Sequence, residues 1–139
     1  MRAPLPLFAL LLAAAIAGCA QAPSSGGNFK GAKKEVADSI EQLQTAATNH
    51  KPEDVCSEVL ARALVEKLKT SGNACVDEME KIVSDADDFA LDVTAVTITG
   101  TTATARVQGR RGGKDNAVTT FSLALEDKKW RLTNFGAPA

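Results

Sequence analysis

The chain has 139 residues with 16 basic and 17 acidic side chains, a formal net charge of −1. That length suits one domain plus a tether, and so even a balance of charge gives no sign of the basic face that phosphate neutralisation requires, so no nucleic-acid partner is expected. One His, one Trp and no Tyr leave little material for acid–base chemistry or for aromatic stacking of a ligand.

Arg2 and the amino terminus make a short positive region, and residues 7–17 follow as an apolar run. The run has the length of an export signal. It falls short of the roughly 18 apolar residues that argue for a membrane-crossing helix. It closes in Ile16-Ala17-Gly18-Cys19, which resembles the lipobox of bacterial lipoprotein signal peptides. The resemblance implies a diacylglycerol on the Cys19 thiol, cleavage before Cys19, and acylation of the new amino end with chains such as palmitate. The alternative is an ordinary secretory signal cut after Ala15-Ile16-Ala17, with Cys19 incidental. On the lipoprotein reading, residues 1–18 are a signal peptide. The protein is then lipid-anchored to the cell membrane or outer membrane, facing outside the cytoplasm.

Residues 19–29 follow as a flexible tether, since Pro23, Ser24, Ser25, Gly26 and Gly27 offer no apolar surface to bury. The folded domain is expected over residues 30–136. Val36, Ile40, Leu43 and Ala47 recur at helical spacing and predict a first helix ending at Asn49-His50-Lys51-Pro52. Pro52 suits the first turn of a second helix, with Val55, Cys56, Val59, Leu60, Ala63 and Leu64 on its buried side. Gly72 is placed to take a left-handed position after that helix, and Asn73 to cap a third. The third buries Cys75, Val76, Met79, Ile82 and Val83.

With Cys19 lipidated, Cys56 and Cys75 remain as a pair. In an oxidising compartment a disulfide is the default for such a pair. The alternatives are a metal site or two buried free thiols; with one imidazole in the chain, no metal is expected. A bond conflicts with one straight helix from Pro52 to Lys69. Cys56 would then lie roughly 24 Å from the turn at Gly72, whereas a disulfide spans at most about 7 Å between Cα atoms. The bond therefore predicts a helix break between Val59 and Ala63, although no Gly or Pro marks it.

After Asp87-Asp88 the period changes. Phe89, Leu91, Val93 and Ala95 alternate, and the phase slips between Ala95 and Val96, which predicts a bulge. Ala103, Ala105 and Val107 mark a second strand, and residues 109–116 read as a polar, glycine-rich loop. Thr119, Phe121, Leu123 and Leu125 mark a third strand, and Trp130 and Leu132 a fourth. Helices followed by a meander predict an α+β fold, with N-terminal helices packed on a curved antiparallel sheet of about four strands.

This order resembles the nuclear transport factor 2-like (cystatin-like, cone-shaped) superfamily. The resemblance rests on Pro52-Glu53-Asp54-Val55-Cys56, on Cys75 opening the third helix, on the hairpin around Gly100, and on Lys129-Trp130-Arg131-Leu132. It implies a curved, cone-like sheet over helices, often with an interior pocket. Leu91, Val93, Phe121, Leu123, Trp130 and Leu132 are the candidates to line such a pocket or to fill a core. Enzymes of that superfamily carry carboxylates, His or Tyr inside the cone. Here Asp92 is out of phase with Leu91 and Val93, and His50 falls in a connection between helices. No catalytic residue is therefore assigned, and no cofactor is expected.

Arg106, Arg110, Arg111 and Lys114 form the one basic cluster, read as a solvated loop diluted by Asp115. If functional, it would touch anionic lipid or cell-wall polymer. The sequence gives no molecular activity. It points to an extracytoplasmic, non-enzymatic binding or interaction module for an apolar small ligand or an envelope protein. The alternatives are a small isomerase- or dehydratase-like enzyme and an apolar-ligand carrier.

Overall fold

The computed structural model of the protein describes residues 25–136. Cys19, the expected signal segment and residues 19–24 of the expected tether lie outside the described residues. Order begins earlier than residue 30: Ser25–Asn28 forms a 3-10 turn, and Phe29 packs against the core. Helix α1 (Ala32–Thr48) follows. Val36, Ala37, Ile40, Leu43, Ala46 and Ala47 form its apolar stripe, and all six are buried.

Pro52 opens α2 (Pro52–Asp54), which continues as a π turn over Val55–Val59. The Leu60 N–H closes that turn on the Val55 carbonyl at 3.0 Å, a five-residue step. Leu60 and Ala61 are then extended, with ψ of 143° and 145°, before α3 (Arg62–Thr70) starts afresh. The chain thus breaks inside the Val59–Ala63 window. A tertiary contact stabilises the break: the Ala61 N–H donates to the Leu132 carbonyl at 2.8 Å, and Leu60 forms a parallel bridge with Leu132. After α3, Gly72 adopts φ 87°. Its N–H bonds the Lys69 carbonyl, and the Asn73 N–H bonds that of Leu68, which completes a Schellman ending.

Helix α4 (Cys75–Val83) begins at once, with Ala74 rather than Asn73 at its N-cap and no side-chain cap. The broken second helix and α4 lie side by side. Cys56 and Cys75 form a disulfide with 6.1 Å between Cα atoms.

Four strands follow: β1 (Phe89–Thr99), β2 (Thr102–Arg111), β3 (Lys114–Glu126) and β4 (Lys129–Asn134). They form an antiparallel sheet in the order β1-β2-β3-β4, with the helices on one face, so the fold is α+β as expected. Each strand pair carries one register shift, at Val93/Ala95, Gln108/Arg110 and Ser122/Leu123. Such shifts bend and twist a sheet.

Four local expectations are corrected. The first bulge lies at Thr94, so Ala95 is exposed and Val96 returns to the core. Residues 109–116 are not a loop: β2 and β3 run through them and turn only at Gly112-Gly113, both with positive φ as a two-residue hairpin requires. Ala63 is exposed because the extended pair at Leu60 and Ala61 resets the helical phase. Ile82 is 55% exposed. The buried stripe of α4 is the narrow i, i+4, i+8 row of Cys75, Met79 and Val83, and Ile82 falls beside it.

The bond between Cys56 and Cys75 closes a loop with a sequence separation of 19. Replacing both cysteines with Ser is expected to lower unfolding stability by about 3 kcal/mol in a urea titration. Non-reducing peptide mapping of the parent chain should recover the two cysteines on one linked fragment.

Candidate functional site

The two ends of the sheet differ. Strand β4 is short, and its last residue, Asn134, pairs with Ser122. The segment of β3 from Lys114 to Phe121 therefore runs on without β4 beside it. Among the described residues, no element covers the helix-side face of β1, β2 and β3 at this end, which forms a cleft of about 300 Å³. Phe89, Leu91, Val107, Phe121 and Phe135 supply its apolar walls, and Gly109 contributes a stretch of bare backbone. Among the described residues, Asn116 and Thr119 are the polar side chains of the lining, and none of the lining side chains is ionisable.

The C-terminal residues shape one wall. Phe135 folds in after β4 and meets Phe121 edge-on, with centroids 6.0 Å apart and planes at 88°. Gly136 follows with φ 78°, and its backbone lies hard against β3. A Cβ there would sit 2.0 Å from the Thr120 carbonyl oxygen, so only glycine lets the chain approach this closely.

The six candidate lining residues divide. Leu91 and Phe121 line the cleft. Val93, Leu123 and Leu132 are buried in the core. Trp130 is buried toward the other end of the sheet, where its carbonyl accepts the Ser39 hydroxyl at 2.9 Å. Phe89, Val107, Gly109, Phe135 and Gly136 complete the cleft and were not singled out as lining. Phe135, an apolar ring just beyond the last strand, was the available signal. Asp92 lies on the opposite face from Leu91 and Val93, as its phase predicts.

A second hollow of about 360 Å³ lies among Cys56, Leu60, Arg62, Val65, Glu66 and Arg131. Its two arginines are engaged structurally. Arg62 pairs with Asp127, and Arg131 Nη1 donates to the Ser57 carbonyl at 2.7 Å. Among the described residues no cluster of His, Cys, Asp or Glu is arranged to hold a metal ion.

His50 lies in the connection between α1 and α2, as expected, but it is held there. Its backbone is left-handed (φ 53°), and both ring nitrogens are held. Nδ1 lies 2.8 Å from the Val83 carbonyl at the end of α4, and Nε2 lies 2.8 Å from Asp87 Oδ1. Both partners are acceptors, so the ring satisfies both only as the imidazolium, with two N–H donors. The Asp87 hydrogen bond, followed by that to Val83, raises the His50 pKa above the ordinary imidazole value. The ring acts as a clamp between the α1–α2 connection and the α4–β1 turn.

No family model and no curated protein matches the chain. Among solved structures it is similar to a Campylobacter jejuni protein named as an NTF2-like (nuclear transport factor 2-like) transpeptidase. The likeness covers 68% of this chain and 94% of that one, at 19% identity and a TM-score of 0.47.

A raised folded pKa fixes the sign of the pH effect at His50. The clamp contributes its full stability below the unfolded imidazole pKa of about 6.5 and loses it as pH rises through the folded value. Unfolding midpoints should therefore fall across that interval, and Asp87→Asn should flatten the dependence. Proton NMR titration of the single His should show a midpoint above 6.5 in the parent chain and a lower one in Asp87→Asn.

Proposed function

We propose that the protein is a lipid-anchored, extracytoplasmic, non-enzymatic binding module whose cleft takes an apolar group. The observation that carries the binding half is the cleft lining: five apolar side chains, two of them aromatic rings packed edge-on, with no titratable group among the described lining residues. General acid–base or nucleophilic chemistry needs an ionisable side chain within hydrogen-bond reach of the reacting atoms, and the lining has none to offer. Burying apolar ligand surface there is favourable by about 25 cal/mol per Å².

The anchoring half rests on Ile16-Ala17-Gly18-Cys19. Helix α1 sets where the described chain enters relative to the cleft. Its N-terminal half lies toward β4, where Ser39 meets Trp130, and its C-terminal end packs Ala47 beside Phe89 at the cleft. The chain therefore enters the domain at the end away from the cleft. The 17 residues of α1 separate the two by about 25 Å.

Two measurements test the halves separately. Mass spectrometry of the mature N-terminus should find acylated Cys19, and Cys19→Ala should yield uncleaved precursor or a soluble product; an unmodified Cys19, or a start at Gly18 or Ala20, refutes the anchor. Nile red, a neutral apolar dye, should bind the full chain with a fluorescence gain that Gly109→Leu removes. Gly109 suits this variant because its φ is not left-handed and a Cβ there meets only Asn116 atoms, at 3.7 Å. A dye signal unchanged in Gly109→Leu refutes the cleft as the binding site.

A further inference from the structure

The cleft has a charged edge that its lining does not include. Along the β1–β2 ladder, Val93 faces Val107, Leu91 faces Gly109, and Phe89 faces Arg111. The first two rungs place cleft and core residues on the helix side, and strand alternation puts Arg111 on that side too. Across the β2–β3 ladder Arg111 faces Lys114. Two exposed cations thus sit side by side at the lip, Arg111 on the same rung as Phe89 of the apolar wall.

The acidic groups nearby do not neutralise this pair. Asp115 faces Arg110 on the next rung, directed to the other side of the sheet. Asp87 is engaged by His50. Asp88, next to Phe89 in the chain, is exposed. No ion pair within 4 Å joins Arg111 or Lys114 to any acid among the described residues.

Building on the apolar-binding reading above, we propose that the ligand is a single-chain anionic amphiphile. Its chain lies in the cleft and its carboxylate or phosphate head pairs with Arg111 and Lys114. The apolar walls select the chain, and the rim selects the sign of the head. The volume fixes the size class: about 300 Å³ stands at the bottom of the range for small-molecule sites, room for one chain and not two. Arg presents a planar fork that takes a carboxylate or phosphate bidentately, and Lys adds a point charge beside it.

The test compares three ligands of one chain length by isothermal titration on the full chain, each below its micelle concentration: decanoate, decanol and decyltrimethylammonium. Decanoate should bind on the order of tenfold more tightly than decanol, and the cation more weakly still. The double variant Arg111→Glu, Lys114→Glu should remove the preference for decanoate while leaving Nile red binding intact. Decyl phosphate should follow decanoate, since the head-group chemistry is shared. Gly109→Leu should lose all of these ligands, with its far-UV circular dichroism unchanged. Equal binding of decanoate and decanol, or a preference that survives the charge reversal, overturns the ligand class and leaves the apolar-binding reading standing. Loss of Nile red binding in the parent chain overturns both.

Discussion

Leu60 and Ala61 leave the helix and pair with Leu132, and the helical layer is arranged around that contact. All three residues are at most 1% exposed. A fully buried Leu contributes roughly 1.5–3 kcal/mol relative to an exposed one, which outweighs the helical bonds interrupted at the break. The contact also protects the sheet. Strand β4 is an edge, and an edge with free carbonyls is open to pairing with another chain. Here Ala61 takes the Leu132 carbonyl and Ser39 takes that of Trp130. Polar links then fasten the same seam. Arg131 reaches Ser57, Arg62 pairs with Asp127, and Lys129 lies 3.6 Å from Glu58.

The disulfide follows from this break rather than causing it alone. A straight helix would hold Cys56 away from Cys75; folding α3 back at Ala61 lets α4 begin beside the π turn. Helix α3 has no fully buried residue, and Leu64, Val65 and Leu68 only half-cover the core. It behaves as a connector held at its ends, by the bridge on one side and the disulfide-linked start of α4 on the other. Loss of the disulfide would therefore act first on α3 and the entry to α4. The α1–sheet interface has its own buried stripe.

Which features were legible in the sequence depends on whether local or distant atoms decide them. The α1 stripe, the alternation of β2, and the fourth strand at Trp130 and Leu132 are local patterns, and they transferred to the structure. The helix break was legible only through the two cysteines, a distance constraint imposed on a pattern with no local breaker. Residues 109–116 misled because Gly, Arg, Lys and Asp suggest a loop, while hydrogen bonding to a neighbouring strand costs those side chains nothing when they point to solvent. Asn73 looked like a cap, but α4 starts one residue later, with Ala74 at its N-cap, and Asn73 instead completes the ending of α3 through its N–H. Gly136 carries no sequence signal of its own; its role exists only because β3 passes underneath it.

The cleft exists because β4 stops short while β2 and β3 run on, and the open end is stabilised from two sides. On one side Phe135 and Gly136 fold against β3, replacing the missing strand with a ring and a bare backbone contact. On the other side Phe89 is held from behind by Ala47, Val83 and Ala86. His50 ties the same region together, joining Val83 to Asp87 just two residues before Phe89. One wall of the cleft is thus fixed by apolar packing and a hydrogen bond that depends on protonation, the other by an edge-on ring pair and close backbone contact. Deprotonating His50 leaves one ring nitrogen facing an acceptor without a proton to share, which loosens the turn before Phe89 and leaves the Phe121–Phe135 wall untouched.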